Sequence, residues 1–339
     1  MSVSTPPKVS VCMPVYNGGD YIADSIQSVL TQTYKNFNLI VCDNCSTDNT
    51  EEIIRNFNDP RLIYVRNKKN IGLVGNHNRC LELANGKYVY FLHHDDIMLP
   101  DNLALKVRLL DKHPRVGLVH SNIMIIDDKG EIVAENIWYK NSRRDYIKRG
   151  REIFDECLGY LHFGASIFIG SVMARRKCYE KVGKFSPELP HCNDSEMWIR
   201  MSLFYDVACI GTPLVKYRVH QKTASSNWGD YSSVAYVKEH YLAAMSIFNA
   251  YYHLIPDSHR RKKKVSKFFA ERSIKLAKTA IVNGDYFSAK TFVKEAIRMY
   301  SWIIKNPFFW IVIGGISVGP SGLKYFKSAK KAFGNKIAH

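Results

Sequence analysis

Over its first 120 residues the chain switches repeatedly between two hydrophobic periods, and this alternation narrows its folds more than any other feature. Apolar, β-branched runs at residues 9–13, 38–42, 62–65, 88–92 and 116–120 read as buried strands. Between them, residues 21–31, 50–57, 74–84 and 102–110 carry apolar residues at helical spacing. Thr47-Asp48 and Pro100-Asp101 supply helix starts, Pro being suited to a first turn. Strands that alternate with helices need crossover connections. The expectation is an α/β fold, a mostly parallel sheet with right-handed crossovers and helices on both faces.

Beyond residue 120 the rhythm changes. Residues 123–126 and 132–134 flank Asp127-Asp128-Lys129-Gly130, which reads as a hairpin turn. The polar stretch 136–150 is expected to be a loop over the sheet edge. Residues 166–174 and 207–217 read as further strands, with a helix over 194–204 between them. From about Tyr231 the pattern is helical, over 234–250, 262–281 and 286–304. The expected organisation is an α/β domain over 1–226, a helical extension over 227–304 and a basic, apolar tail over 305–339.

Charge is placed unevenly. The whole chain carries +17, yet residues 258–339 hold 18 Lys and Arg against only Glu271, Asp285 and Glu295. An anionic partner should therefore meet the C-terminal part. The eight cysteines show no paired spacing, and Cys42 and Cys45 form a lone C-x-x-C with no second pair at zinc-ribbon distance. Reduced, buried thiols are expected. The first residues lack a charged start followed by an apolar core, so no signal peptide is read and a cytoplasmic location is expected.

In an open parallel sheet, ligands bind outside the carboxyl ends of the strands. Three of the first four strands end in chemically useful residues: Pro14-Val15-Tyr16-Asn17, Asp43-Asn44 and His93-His94-Asp95-Asp96. If the strands are parallel, these loops converge on one edge. Asp43 is placed to bond a ribose or the imino group of a base. The first turn, Asn17-Gly18-Gly19-Asp20-Tyr21, lacks the G-x-G-x-x-G spacing that brings helix amides to a pyrophosphate, and it carries an acid. Something else must neutralise a diphosphate.

Asp95 and Asp96 can do so by holding a cation. Adjacent carboxylates after a buried strand, with no basic neighbour, are costly unless neutralised. A hard divalent ion takes oxygen ligands and keeps positions open for phosphate oxygens. The plainer alternative is that the two acids only begin a turn. His93 and His94 can add imidazole ligands. Adjacent strand residues point to opposite faces, so at most one faces the site.

Taken in order, these motifs resemble the landmarks of the family 2 inverting glycosyltransferases, which have the GT-A (Rossmann-like) fold. The family's P-x-Y-N is similar to Pro14-Val15-Tyr16-Asn17, and its D-D/N-x-S-T-D-x-T to Asp43-Asn44-Cys45-Ser46-Thr47-Asp48-Asn49-Thr50. Its N-x-G with a following R-N resembles Asn70-Ile71-Gly72 with His77-Asn78, and its D-x-D-D resembles His93-His94-Asp95-Asp96. Downstream, Gly170-Ser171 through Phe185 is similar to an acceptor-side segment. Asn193-Asp194-Ser195-Glu196-Met197-Trp198-Ile199-Arg200 resembles E-D-x-E-x-W-x-R, and Tyr217-Arg218-Val219-His220 resembles Y-R-x-H. The likeness ends at about residue 226, and the helical part lies outside it.

The resemblance implies a nucleotide-sugar site formed by Pro14, Tyr16, Asn17, Asp43, Asn44, Asn78 and Asp95. It implies that Asp96, with His220, holds Mg²⁺ or Mn²⁺, and that Asp194 is the general base. Asp194 also suits a helix start, a role compatible with catalysis. The donor would be a nucleoside-diphosphate sugar and the acceptor a glycan or lipid-linked glycan, in synthesis of a cell-envelope polysaccharide, O-antigen or capsule. Three positions depart from the family pattern: His93 and Asn193 stand where acids are usual, and His77 where Arg is usual. They leave open a non-catalytic nucleotide-sugar-binding or scaffold protein.

The basic segment begins with Arg260–Lys264, and the apolar run 307–320 is shorter than the ~20 residues a bilayer span needs. Cations on both sides of an apolar wedge suit an anionic membrane surface, so residues 258–339 are expected to place the protein peripherally on the inner face of the membrane. A helical subdomain whose last helix packs on its own core is the alternative. No nucleic-acid-binding motif is read, and nucleic acid is not the expected partner.

Overall fold

A computed structural model describes residues 7–136, 144–160, 167–221 and 233–319. The chain divides into two compact units, Met1–Asn227 and Trp228–His339. In the first unit, strands β1 (Val9–Val15), β2 (Phe37–Asp43), β3 (Leu62–Arg66) and β4 (Tyr88–Phe91) alternate with helices α1 (Ile22–Leu30), α2 (Thr50–Arg55) and α3 (Gly72–Leu83). These strands pair in parallel in the order β3-β2-β1-β4, as the alternation requires. β1 and β2 are buried along their whole length, which explains why they read as continuous apolar runs.

The second half of the sheet is mixed. After β5 (Ile97–Met98) and α4 (Asn102–Lys112) comes β6 (Val116–Ile126), an 11-residue strand that takes in both 116–120 and 123–126. It turns at Asp127–Gly130 into β7 (Ile132–Asn136), the expected hairpin. Within the stretch expected to be loop, β8 (Tyr146–Lys148) pairs antiparallel with the last strand. α5 (Gly150–Tyr160) and α6 (Arg176–Val182) were not anticipated. The run 166–174 is not one strand. Residues 169–171 make a single helical turn, and only β9 (Met173–Arg175) is extended. β9 lies antiparallel between β4 and β6. α7 (Asn193–Ser202) and β10 (Asp206–Arg218) follow, β10 running parallel to β6.

Two buried basic side chains fix β9 and the turn before it. Arg175 donates to the carbonyls of Val116, Leu110 and His113. Lys106, fully buried on α4, donates to Ser171 O at 2.7 Å and lies over the Tyr90 ring. Burial holds the Lys106 ammonium well below its usual range. Tyr90 in turn donates to Gly170 O at 2.6 Å. The turn at 169–171 is thereby fixed against the end of β4.

The second unit is helical: α8 (Val234–Tyr251), α9 (Ser258–Val282), α10 (Tyr286–Met299) and α11 (Pro307–Val318). Its core is formed by Phe248, Phe269, Ile274, Phe292, Ile303 and Val312. Within the apolar run, Pro307–Val318 is thus a helix with Phe309 and Val312 buried and Trp310 59 % exposed. Among the described residues, no helix is long and apolar enough to cross a membrane.

Candidate active site

The parallel register sets Val15 at the end of β1 opposite Asp43 at the end of β2, with β4 on the other side of β1. The two loops that follow are stitched together. Asn17, at a left-handed φ of 51°, donates its amide to Ser46 Oγ at 2.9 Å and accepts from the Thr47 amide at 2.8 Å. Gly18 donates to Thr50 Oγ1 at 2.9 Å and Gly19 to Asp48 Oδ2 at 3.0 Å. A Cβ on Gly19 would stand 2.1 Å from Asn49 Oδ1, so a larger residue there would have to turn the Asn49 side chain aside. The amides of the first turn are therefore engaged by side chains. This is the physical reason that a phosphate cradle is missing there.

Asp43 is fully buried, and its carboxylate already accepts from the Ser46 amide, the Tyr64 hydroxyl and Arg66, each at 2.8 Å. Burial and the Asp43 hydrogen bond push the Tyr64 phenol up to about 12. Asn44 braces the next loop, donating to Asn70 Oδ1 at 2.8 Å and accepting from the Ile71 amide at 2.9 Å. Asn78 uses both ends of its amide on the Phe185 backbone, donating to the carbonyl and accepting from the N–H, each at 2.9 Å. Tyr16 is 45 % exposed at the rim, while Pro14 is buried in β1. Pro14, Tyr16, Asn17, Asp43 and Asn44 thus share the β1 and β2 ends. Asn78 instead ties α3 to the segment after α6.

At the end of β4, Asp95 and Asp96 are held in opposite electrostatic states. Burial raises Asp95, but the His220 hydrogen bond and the nearby imidazoles of His94 and His93 outweigh it and hold the carboxyl at about 2. Asp96 goes the other way, well above the carboxylate range, because it is fully buried and faces the Asp95 charge. Asp96 Oδ1 accepts from the Arg218 amide at 3.1 Å, whereas Asp96 Oδ2 is buried with no hydrogen-bond partner. Gly170 stands in front of that oxygen. One ring nitrogen of His93 and one oxygen each of Asp95 and Asp96 lie within 4.8 Å of one another. An orphaned buried carboxylate oxygen with a second carboxylate beside it suits a divalent cation with oxygen ligands.

His220 Nε2 stands 3.1 Å from Asp95 Oδ2, so it contacts a carboxylate of the cluster. Its ring also packs on Tyr21, with centroids 4.7 Å apart. Arg218 had no role assigned from sequence, although it belongs to the segment that carries His220. It is buried, donates to the Asp95 carbonyl at 3.0 Å and to the carbonyls of Asp127 and Asp128, and lies over Tyr21. The antiparallel pairing of β5 with β10 brings it there, because Ile97 opposes Lys216. Gly170 was also missed as a site residue, since nothing local marks a glycine as facing an acid 74 positions earlier.

Asp194 sits half-buried in the first turn of α7, where Oδ1 accepts from the Ser195 amide at 2.6 Å. The rest of the helix is built for rigidity. Glu196 pairs with Arg200 at 2.7 Å, and Arg200 also donates to the carbonyls of Val182 and Lys184. Trp198 is buried edge-on against Phe185. Asn193, which precedes Asp194, is buried and donates to the Pro190 carbonyl at 3.1 Å. Between β7 and the turn at 169–171, residues 137–143 and 161–166 lie outside the described residues.

Residues 10–182 match the model of glycosyl transferase family 2. An uncharacterised glycosyltransferase of Methanocaldococcus jannaschii is 32% identical over 218 residues, covering 63% of this chain and 71% of that protein. One of Rickettsia typhi is 29% identical over 216 residues, 63% of this chain and 64% of its own length. The UDP-Glc:alpha-D-GlcNAc-diphosphoundecaprenol beta-1,3-glucosyltransferase WfgD of Escherichia coli is 30% identical over 226 residues, covering 65% of this chain and 80% of WfgD. The chain thus spans about two thirds to four fifths of these relatives. Among solved structures, S. aureus TarS residues 1–349 in complex with UDP-GlcNAc superposes with a TM-score of 0.64 at 17% identity, over 95% of this chain and 92% of that one. At that identity the likeness concerns the fold, which is the GT-A arrangement.

Proposed function

Since this chain belongs to glycosyl transferase family 2, we propose that it moves a sugar from a nucleoside-diphosphate donor to an acceptor hydroxyl with inversion at the anomeric carbon. Asp194 takes the acceptor proton as the acceptor oxygen bonds to the anomeric carbon. The bond from that carbon to the diphosphate breaks, and its electron pair leaves on the phosphate oxygen. A carboxylate on the first turn of a braced helix is a suitably rigid base. Tyr16, Asn17, Asp43 and Asn44 line the nucleotide end of the site, and Asp95 lies between it and the sugar. Asp95 and Asp96, with His220 beside them, would hold Mg²⁺ or Mn²⁺. When bound, that ion stabilises the charge that collects on the departing phosphate.

The observation that carries this reading is the orphaned, buried Asp96 Oδ2 beside Asp95, at the sheet edge where β1, β2 and β4 end. The test is release of nucleoside diphosphate with Mn²⁺ across a panel of donor sugars. Release should occur with at least one donor and disappear in Asp96→Ala. Donor binding without any release, in wild type and with a range of glycan and lipid-linked acceptors, would instead favour the non-catalytic reading.

WfgD acts on a diphosphoundecaprenol-linked sugar, and the nucleotide-bound TarS structure holds UDP-GlcNAc. These support a UDP-sugar donor and a lipid-linked glycan acceptor for cell-envelope synthesis. A peripheral position on the inner membrane face fits the second unit. There Trp302 and Trp310 are 56 % and 59 % exposed, and Lys305 lies over the Trp302 ring at 3.9 Å. Exposed tryptophans beside lysines match the interface of an anionic bilayer.

A further inference from the structure

We propose that His93 supplies a nitrogen ligand to the cation held by Asp95 and Asp96, and that His77 and Asn193 fix the tautomer in which it does so. This rests on the cation reading above and adds residues to it.

The hydrogen-bond directions decide which nitrogen is free. Asn193 donates Nδ2–H to the Pro190 carbonyl at 3.1 Å, so its Oδ1 is an acceptor. That oxygen is buried with no hydrogen-bond partner, and the same holds for His77 Nδ1. Asn193 favours the protonated His77 ring, as an acceptor close to the ring does. An acceptor beside Nδ1 selects the Nδ1–H form of His77 and leaves its Nε2 as an acceptor. His77 Nε2 and His93 Nε2 are 3.2 Å apart, so His93 must donate there, and its lone pair then lies on Nδ1. The chain of directions ends in a neutral imidazole with one unused lone pair, the form that binds a metal.

Packing locks the rings in place. His77 and His93 stack with centroids 5.5 Å apart and 12° between planes. Phe91 meets the His77 ring edge-on, and Phe185 packs against it at a tilt. His94 lies elsewhere, close against Gly18, so one histidine of the two faces the acids. The three positions that depart from the family pattern, His77, His93 and Asn193, are thus neighbours in one neutral hydrogen-bonded chain. They are one coupled change. It converts an all-oxygen site into a mixed nitrogen and oxygen site, which favours Co²⁺ and Mn²⁺ over Mg²⁺.

The experiment measures metal affinity of the full chain by calorimetry with Mn²⁺, Mg²⁺ and Co²⁺, together with the visible absorption of bound Co²⁺. Wild type should bind all three, and Asp96→Ala none. In His93→Gln the Co²⁺ and Mn²⁺ affinities should fall about tenfold or more while Mg²⁺ changes less, and the Co²⁺ spectrum should shift. His77→Gln should weaken Mn²⁺ about tenfold with an unchanged circular dichroism spectrum. If His77→Gln does not fold, Asn193→Ala removes the acceptor and tests the same chain. Unchanged Co²⁺ affinity and spectrum in His93→Gln would overturn this proposal and leave the carboxylate site standing. Wild type that binds no cation would overturn both.

Discussion

Gly170 lies directly against the Asp96 carboxylate. A Cβ built at position 170 would come within 3.0 Å of Asp96 Oδ2, the buried oxygen that has no hydrogen-bond partner. It would also meet the Phe168 ring at 2.4 Å. The network from Lys106 and Tyr90 fixes this turn, so it cannot easily withdraw.

Gly170→Ala is therefore expected to damage the site more than the fold. Overpacking costs about 1–3 kcal/mol, so the unfolding midpoint should drop modestly. Mn²⁺ affinity should fall well beyond that, and calorimetry read beside a denaturant titration separates the two. Equal Mn²⁺ affinity in the variant would show that the space before Asp96 is not where the ion sits.

Asp96→Asn should be more stable than wild type in metal-free buffer. The folded state raises the Asp96 pKa, so its ionised form opposes folding at neutral pH, and an amide removes that opposition. With Mn²⁺ at a hundredfold excess over its Kd, wild type should gain about 2.7 kcal/mol and the variant nothing. Thermal melts with and without the ion check both halves. A variant that melts lower than wild type without metal contradicts the expectation.

Asp194→Asn should lower kcat by about 10²–10⁴ while donor binding stays near wild type, because the base acts on the acceptor proton alone. Steady-state kinetics with titration of the donor reads this out. Comparable losses of donor affinity and kcat would place Asp194 in donor binding.

Acid should destabilise the fold through two buried imidazoles. Burial lowers His77 and His120 from 6.5 to about 3 each. Above 6.5 both states are neutral and nothing changes. Between 6.5 and about 3 the unfolded chain binds protons that the folded chain refuses, so stability falls as pH falls, by up to ~1.4 kcal/mol per pH unit for each group. Denaturant midpoints from pH 7 to 4 should show the slope, and His120→Gln should flatten it.

Trp302→Ser with Trp310→Ser should reduce binding to vesicles of phosphatidylcholine with phosphatidylglycerol, and Lys305→Glu should reduce it further. Charge and apolar area both contribute at such an interface. Binding to pure phosphatidylcholine should be weak throughout. Co-sedimentation tests this, and wild-type binding by the double variant would remove the second unit's aromatic face from consideration.

The sheet edge formed by β1, β2 and β4 was legible because its signals are local. β1, β2 and β4 are apolar runs, each closed by polar residues, and parallel pairing follows from the helices between them. The rest of the site depends on contacts far apart in the chain. β9 is three residues long and belongs in the sheet only because Arg175 and Lys106 find buried partners on α4, β6 and the turn at 169–171. Lys106 falls on a helical pattern that would ordinarily put lysine in water. Arg218 stood inside a quoted motif, yet its role depends on β5 folding back along β10. Local patterns reached Asp95, Asp96 and Asp194, but not Arg218 and Gly170, which stand against Asp96.

Because β9 runs against β4 and β6, its beginning, not its end, meets the ligand edge. The chain between β6 and β9 therefore departs from and returns to a single rim, although on the way it adds β7 and β8 to the sheet. At that rim Asp127 and Asp128 on one side and Gly170 on the other close on Arg218 and Asp96. A change of length in the intervening chain would thus be felt first at the two aspartates after β4.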